Sequence, residues 1–258
     1  MRSIAENETG ASQQRQALSG TPQLALGVHL PDYSAFENFY SGANAEALGV
    51  VRKLSEGQLR GVVYLCGPAG SGKTHLLQAA CRHAHEQGRR ALYLPLSSFQ
   101  PLGAEALEGL DGLDLLALDG VEGVAGVEEA ETALFHLVRR VLDRQGCLLV
   151  AAPQAPSGNP WRLPDLASRL ASGPVIRLHS LDDEGRASAL RLRARHRGMT
   201  LSDDAAEYLL RRHSRSPQAL FQLLDELDAA SLAAQRRLTV PFLREALAAY
   251  HRRHGSPS

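Results

Sequence analysis

Lysine is almost missing from this chain: Lys53 and Lys73 are the only two, and arginine carries the rest of the positive charge. Neither sign of charge is in excess, since 28 basic residues stand against 28 acidic ones. A balanced chain offers no bulk attraction to nucleic acid or to an anionic membrane surface. From Arg177 onward 14 arginines face 10 acids, a bias too slight for a DNA-binding footprint. Cysteine is scarce as well. Cys66, Cys81 and Cys147 are odd in number and lack metal-type or redox-type spacing, and Cys66 and Cys147 lie in apolar runs. Buried free thiols in a reducing, cytoplasmic setting are the expectation. No apolar run approaches the length of a membrane span. The first twenty residues have no apolar core, which excludes a secretory signal, and they read as a polar, disordered leader.

What remains is an ordinary globular composition, 44% hydrophobic and 22% charged over 258 residues, enough for one large domain or two modest ones. Short apolar runs at Gly61–Cys66, Ala91–Leu96, Leu113–Leu118, Cys147–Ala151 and Pro174–Leu178 predict strands. Amphipathic stretches at Lys73–Gln87, Ala104–Leu110, Glu128–Arg144 and Pro164–Ala171 predict helices between them. Strand–helix alternation of this kind implies an α/β fold with a parallel sheet and crossover helices. After Leu178 only helices are expected. Ser180 is read as the N-cap of one ending at Gly198, Ser202 caps a second, Ser216-Pro217 opens a third and Thr239-Val-Pro241 a fourth. The expected organisation is a leader over 1–20, a short peptide over 21–28, an α/β nucleotide-binding base over 29–178 and a small all-α lid over 179–258.

The chemistry concentrates at Gly67-Pro68-Ala69-Gly70-Ser71-Gly72-Lys73-Thr74, which follows a predicted strand and opens a predicted helix. This is the P-loop pattern. Its glycines let backbone N–H groups close around phosphates, and the helix N-terminus adds positive potential. Lys73 reaches the β/γ oxygens and the Thr74 hydroxyl ligates Mg²⁺. In a chain with one other lysine, a lysine at this position is not compositional drift. A second acidic group should end a later strand, and Asp119 does. The next position, where hydrolysing P-loop proteins carry an acid that orients water, is Gly120, and Glu122 stands three residues beyond Asp119. The strand Cys147–Ala151 runs into Ala151-Ala152-Pro153, where a polar γ-phosphate sensor is expected. The cradle is complete and the hydrolytic parts are sparse. Weak intrinsic ATPase activity at most is therefore expected.

Three longer segments carry a more specific signal: Leu163-Pro-Asp-Leu-Ala-Ser-Arg-Leu170, Leu192-Arg-Ala-Arg-His-Arg-Gly198 and Gln235-Arg-Arg-Leu-Thr-Val-Pro-Phe242. Over about residues 22 to 247 the chain resembles Hda, the DnaA-related inactivator family of the AAA+ superfamily. The resemblance implies an AAA+ base with a helical lid that binds ADP or ATP with Mg²⁺. It also implies two protein partners, the initiator DnaA and the DNA-loaded sliding clamp (the polymerase β subunit). Members of that family make DnaA hydrolyse its bound ATP and so prevent re-initiation of replication. In that mechanism Arg169 acts in trans as an arginine finger in the DnaA site. The clamp-binding peptide maps to Gln23, Leu24, Leu26 and Val28, with Gly27-Val28 departing from the usual apolar or proline ending. The lid's sensor arginine appears here as Gln218, a hydrogen-bonding but uncharged side chain, with Arg215 on the preceding turn. Neither sequence-specific DNA contact nor a membrane partner is implied, and a homo-oligomer is compatible.

Two other readings compete. An autonomous AAA+ ATPase of the helicase-loader type requires hydrolytic parts that Gly120, the strand end at Ala151 and Gln218 leave sparse. A truncated DnaA-like initiator requires a DNA-binding helix-turn-helix after the lid, and His251–Ser258 are too few for one. Among the remaining groups, His83 and His85 are expected to be solvated. Arg191, Arg193, Arg195 and Arg197 form either a charged, solvated helix face or a contact with a partner AAA+ subunit. Trp161 is a packing anchor or an interface residue. Taken alone, Arg169 is a surface arginine paired with an acid; only its segment suggests more.

Overall fold

The structure is a computed structural model that describes residues 34–96, 110–212, 216–234 and 238–254. Five strands, β1 (Gly61–Cys66), β2 (Ala91–Pro95), β3 (Leu115–Asp119), β4 (Cys147–Ala152) and β5 (Val175–Arg177), form one sheet in the order β2-β3-β4-β1-β5. Every pairing is parallel. Parallel sheets need both faces covered, and the sequence meets that demand by making the strands apolar on both faces. Val62, Tyr64, Leu116, Leu118, Leu148 and Val150 face one core, closed by α3 (Glu128–Asp143) and α4 (Pro164–Leu170). Val63, Leu65, Leu115, Ala117, Leu149 and Ala151 face the other, closed by α1 (Ala45–Ser55) and α2 (Lys73–Glu86). Alternate residues of one strand thus serve opposite cores, as the period of two requires. Helix α1 and the short 3₁₀ turns Phe36–Asn38 and Gly42–Asn44 are elements that the periodicity reading had not placed.

Four helices follow the sheet: α5 (Asp183–His196), α6 (Asp203–Arg212), α7 (Pro217–Ala234) and α8 (Val240–His254). Leu190, Leu209, Leu223, Leu224 and Leu243 are at the centre of a third core that these helices share. An α/β base with a parallel sheet and an all-α lid is the architecture. One cap expectation fails. The N-cap of α5 is Asp182, whose carboxylate accepts from the Gly185 N–H at 2.7 Å, not Ser180. A capping oxygen must lie within reach of the third helical N–H, and Ser180 is too far upstream. Ser202 does cap α6, accepting from the Ala205 N–H. Helix α2 runs from Lys73 as expected, and most of the expected helix over Ala104–Leu110 lies outside the described residues.

The carboxyl edge of the sheet is where ligands of open α/β proteins bind. In register along it stand Pro95, Asp119, Ala151 and, one step further out, Cys66 and Arg177. The segment between β5 and α5 is tied to the base by a two-bond amide pairing: Asn44 Nδ2 donates to the His179 carbonyl at 2.9 Å, and the His179 N–H donates to Asn44 Oδ1 at 2.8 Å.

Candidate functional site

From Cys66 the chain leaves the central strand and turns back over the sheet edge. Gly67 (φ 151°) and Gly72 (φ 95°) are obligatory there. A Cβ on Gly67 would lie 2.5 Å from the Leu178 carbonyl oxygen, and one on Gly72 would lie 2.6 Å from the Phe39 ring. The loop therefore packs closely and ends at the N-terminus of α2, whose positive end faces the sheet edge. The Lys73 ammonium donates to the carbonyls of Gly67 (2.7 Å) and Pro68 (2.9 Å), folding its charge onto the loop. Ser71 Oγ is buried and has no hydrogen-bond partner among the described residues. The Thr74 hydroxyl donates to Asp119 Oδ2 at 2.7 Å, so the two oxygens expected at a divalent cation stand side by side.

Sequence reasoning missed a third member of that group. The Tyr93 hydroxyl, from the neighbouring strand β2, donates to the same Asp119 oxygen at 2.9 Å. Gln78 bonds the Tyr93 hydroxyl in turn, and Ser34 Oγ donates to Gln78 Oε1 at 2.7 Å. Parallel pairing of β2 with β3 puts Tyr93 beside the Asp119 strand end, a relation that no sequence spacing reveals. Burial, and then the Asp119 charge, push the Tyr93 phenol above its ordinary value, so it stays a donor at neutral pH.

Gly120 adopts a left-handed turn (φ 76°), after which the chain forms the 3₁₀ turn Val121–Val124. That turn brings Glu122 back toward the site: a Cβ on Gly120 would lie 4.0 Å from Glu122 Oε1. Although the residue as a whole is exposed, desolvation of its carboxyl end raises the Glu122 pKa, with the Asp119 charge adding to the effect and Lys73 opposing it. Desolvation lowers the Lys73 pKa, and the Asp119 and Glu122 charges oppose that shift. At the end of β4, Ala151 and Ala152 are fully buried, and the Pro153 carbonyl accepts from the Gly67 N–H at 3.1 Å. The last three residues of that strand, Val150, Ala151 and Ala152, carry no polar side chain.

Residues 34–40 form a strap across α2. His75 Nε2–H donates to the Ala35 carbonyl at 2.9 Å, and the Phe39 ring rests 5.5 Å from the His75 ring. Phe36 is buried edge-on to His83, which also approaches Glu56 at 3.4 Å. The solvated reading of His83 is thereby corrected: the strap covers it, while His85 is exposed. Tyr40, next to Phe39, lines a cleft of about 440 Å³ together with Ser188, Arg191, Leu192 and Arg195 of α5. The clustered aromatics Phe36, Phe39 and Tyr40 were the available sequence signal for this strap.

Arg169 lies in the second turn of α4, half-buried at the flank of the face that carries Leu166 and Leu170. Its guanidinium stacks over the Phe135 ring of α3, 5.1 Å from the centroid, and has no ion pair among the described residues. The acid-paired reading is therefore corrected, because an aromatic face rather than a carboxylate orients the side chain. Trp161 packs against the core beneath this helix and donates its indole N–H to the Pro156 carbonyl. In the lid, Arg193 is buried, stacks on Phe221 and pairs with Asp225, contrary to a solvated role. Arg191 and Arg197 pair with acids, and Arg195 is exposed. Gln218 falls in the first turn of α7. Gln23, Leu24, Leu26, Val28 and Arg215 lie outside the described residues.

Comparison with known proteins adds two family models. The model described as the bacterial DnaA ATPase domain matches residues 30–177, more than half of the chain. The model described as the lid domain of Hda matches residues 183–247. Among solved structures, DnaA from Aquifex aeolicus bound to AMPPCP superposes with a TM-score of 0.65 at 25% identity. That match covers 76% of this chain and 65% of the Aquifex chain. Domain III of DnaA from Thermotoga maritima gives 0.70 at 21% identity, covering 85% of this chain and 98% of that one. The Thermotoga maritima RuvB branch migration motor gives 0.60 at 15% identity, over 83% of this chain and 73% of that one. The last two likenesses speak to the fold alone.

Proposed function

The chain belongs to the DnaA-related AAA+ family, with a base of the bacterial DnaA ATPase type and an Hda-type lid, and from that membership we propose that it is a regulatory inactivator of DnaA. In this reading it binds ADP or ATP on the loop Gly67–Thr74, attaches to the DNA-loaded sliding clamp and promotes hydrolysis of the ATP held by DnaA. The residues present fit a nucleotide with Mg²⁺. The glycine loop is shaped by close backbone approaches, Ser71 Oγ is an orphaned buried polar atom, and Thr74 and Asp119 offer adjacent oxygens. Lys73 would exchange its loop carbonyls for phosphate oxygens, and Tyr93 would hold the Asp119 carboxylate in orientation. A bound Mg²⁺ would supply charge neutralisation between the phosphates.

One observation carries the regulatory reading: the Arg169 guanidinium is oriented by Phe135 and unclaimed by any described acid. An arginine held ready but unpaired pays no cost of breaking an internal ion pair when it meets a phosphate in another subunit. The clamp would be taken by Gln23, Leu24, Leu26 and Val28, and attachment would raise the local concentration of Arg169 near DnaA on DNA. The test is hydrolysis of DnaA-bound ATP with this protein, with and without DNA-loaded clamp. Clamp-dependent stimulation is expected, and its absence in both arms refutes the reading.

One feature favours a second reading, an autonomous ATPase. Glu122 shares its field with Asp119 and Lys73 although the position after Asp119 is glycine. Turnover of ATP by the isolated protein separates the two.

A further inference from the structure

Glu131 is the only carboxylate among the described residues that is wholly buried. No basic side chain pairs with it there. Instead, three backbone N–H groups share its two oxygens. Oε1 accepts from Gly126 at 2.6 Å and from Arg162 at 3.1 Å. Oε2 accepts from Arg162 at 2.9 Å and from Leu163 at 2.8 Å. A buried charge of this kind persists only when its hydrogen bonds are complete.

The donors reveal what the charge is for. Leu163 is the N-cap of α4, and its apolar side chain cannot cap; Pro164 follows with no N–H to give. Without Glu131, the Arg162 and Leu163 N–H groups at the start of α4 would lose their acceptor. One helical turn along α3 from Glu131 stands Phe135, the ring beneath Arg169. A single face of α3 therefore grips the short α4 segment twice, through Glu131 at the two residues that lead into it and through Phe135 at its second turn.

We propose that Glu131 is the positioning residue of Arg169, fixing where α4 presents the guanidinium. This inference rests on the reading that Arg169 acts in the ATP site of DnaA. Seven residues are too few for a helix to hold its own geometry, so α4 takes its position from what it is bonded to. A misplacement of about 1 Å at a reacting centre can cost roughly 10²-fold in rate.

Glu131→Gln tests it. The amide has one oxygen, so its NH₂ group must face either the Gly126 donor or the Leu163 donor, and one side of the clamp is lost. The variant should bind ADP with full stoichiometry and show an unchanged half-saturating concentration in the DnaA hydrolysis assay with loaded clamp. Its maximal stimulated rate should fall at least tenfold. A merely structural role would lower the ADP-binding fraction and be overcome by adding protein. Arg169→Ala is the control: if it stimulates normally, the regulatory reading itself fails. If Arg169→Ala is inactive while Glu131→Gln reaches the wild-type maximum, the regulatory reading stands and the positioning role is overturned. Amide exchange of the unmodified protein gives a check that needs no variant. The Arg162 and Leu163 amides should be protected, and exchange at open-loop rates would overturn the proposal.

Discussion

At the scale of single residues, the site depends on a few groups whose chemistry one substitution removes. Lys73→Ala deletes the cation that now bonds the Gly67 and Pro68 carbonyls. A charge-assisted hydrogen bond contributes about 1.5–3 kcal/mol, so ADP affinity should fall by at least about tenfold in calorimetry. Unchanged affinity would put the phosphates elsewhere. Tyr93→Phe keeps the ring and removes only the donor to Asp119. The bond is charge-assisted but one step removed from the cation, so Mg²⁺-supported nucleotide affinity should fall by at least roughly fivefold, equivalent to about 1 kcal/mol, while binding without Mg²⁺ stays the same. Equal losses with and without Mg²⁺ would refute a role at the cation. Of these two residues, Lys73 was legible in the sequence because the P-loop is a local motif on one strand–turn–helix. Tyr93 was not, because it reaches Asp119 only through strand pairing.

At the scale of elements, the strap over α2 should respond to acid. Burial, with Arg193 adding to it, depresses the His75 pKa below 6.5, while the bond to the Ala35 carbonyl opposes the shift. The sign follows from proton counting. As pH falls below 6.5 the unfolded chain takes up a proton before the folded one does, so stability drains away until pH passes the depressed folded value. Above pH 6.5 the contribution is intact. Thermal melts from pH 8 to pH 5 should therefore show a steeper acid loss for the native protein than for His75→Gln, whose amide can still donate to Ala35. Parallel curves would remove His75 from the account. The elements themselves were legible in part. Alternation of apolar runs with amphipathic stretches predicted the parallel sheet, and of the five helix starts expected in α2 and the lid only the Ser180 cap was misplaced. Helix α1 was missed although its buried positions Ala47, Val51, Leu54 and Ser55 recur at helical spacing, because two of the four are small and Gly49 and Val50 interrupt the segment with poor helix formers.

At the scale of the whole molecule, two activities should separate. Isolated protein should turn over ATP far below the ~10 s⁻¹ typical of enzymes, because β4 ends in buried alanines and the position after Asp119 is glycine. Brisk hydrolysis by clean protein would favour Glu122 as a replacement acid and revive the autonomous reading. In the DnaA assay, Arg169→Ala should fail at every concentration, and Arg169→Lys should recover little, since a point charge does not reproduce the planar fork. Replacing Gln23, Leu24 and Leu26 with alanine should also fail, but excess protein should restore stimulation, because tethering supplies only effective concentration. If excess Arg169→Ala restored hydrolysis, Arg169 would be a docking residue.

The sequence by itself determined the class of fold, the phosphate loop and the candidate arginine, since each is written in contiguous residues whose period, turn chemistry or motif acts locally. Only the tertiary structure decided what surrounds them. The fully buried Glu131 and the Phe135 ring reach α4 from another helix, Tyr93 reaches Asp119 from another strand, and the strap reaches His75 from before α1. These contacts join residues 26 to 40 positions apart, and chain direction after a turn, not spacing, sets which of them meet. Glu122 shows the same limit from the other side: its number placed it near Asp119, but the left-handed turn at Gly120 decided that its carboxyl would share the field of Lys73.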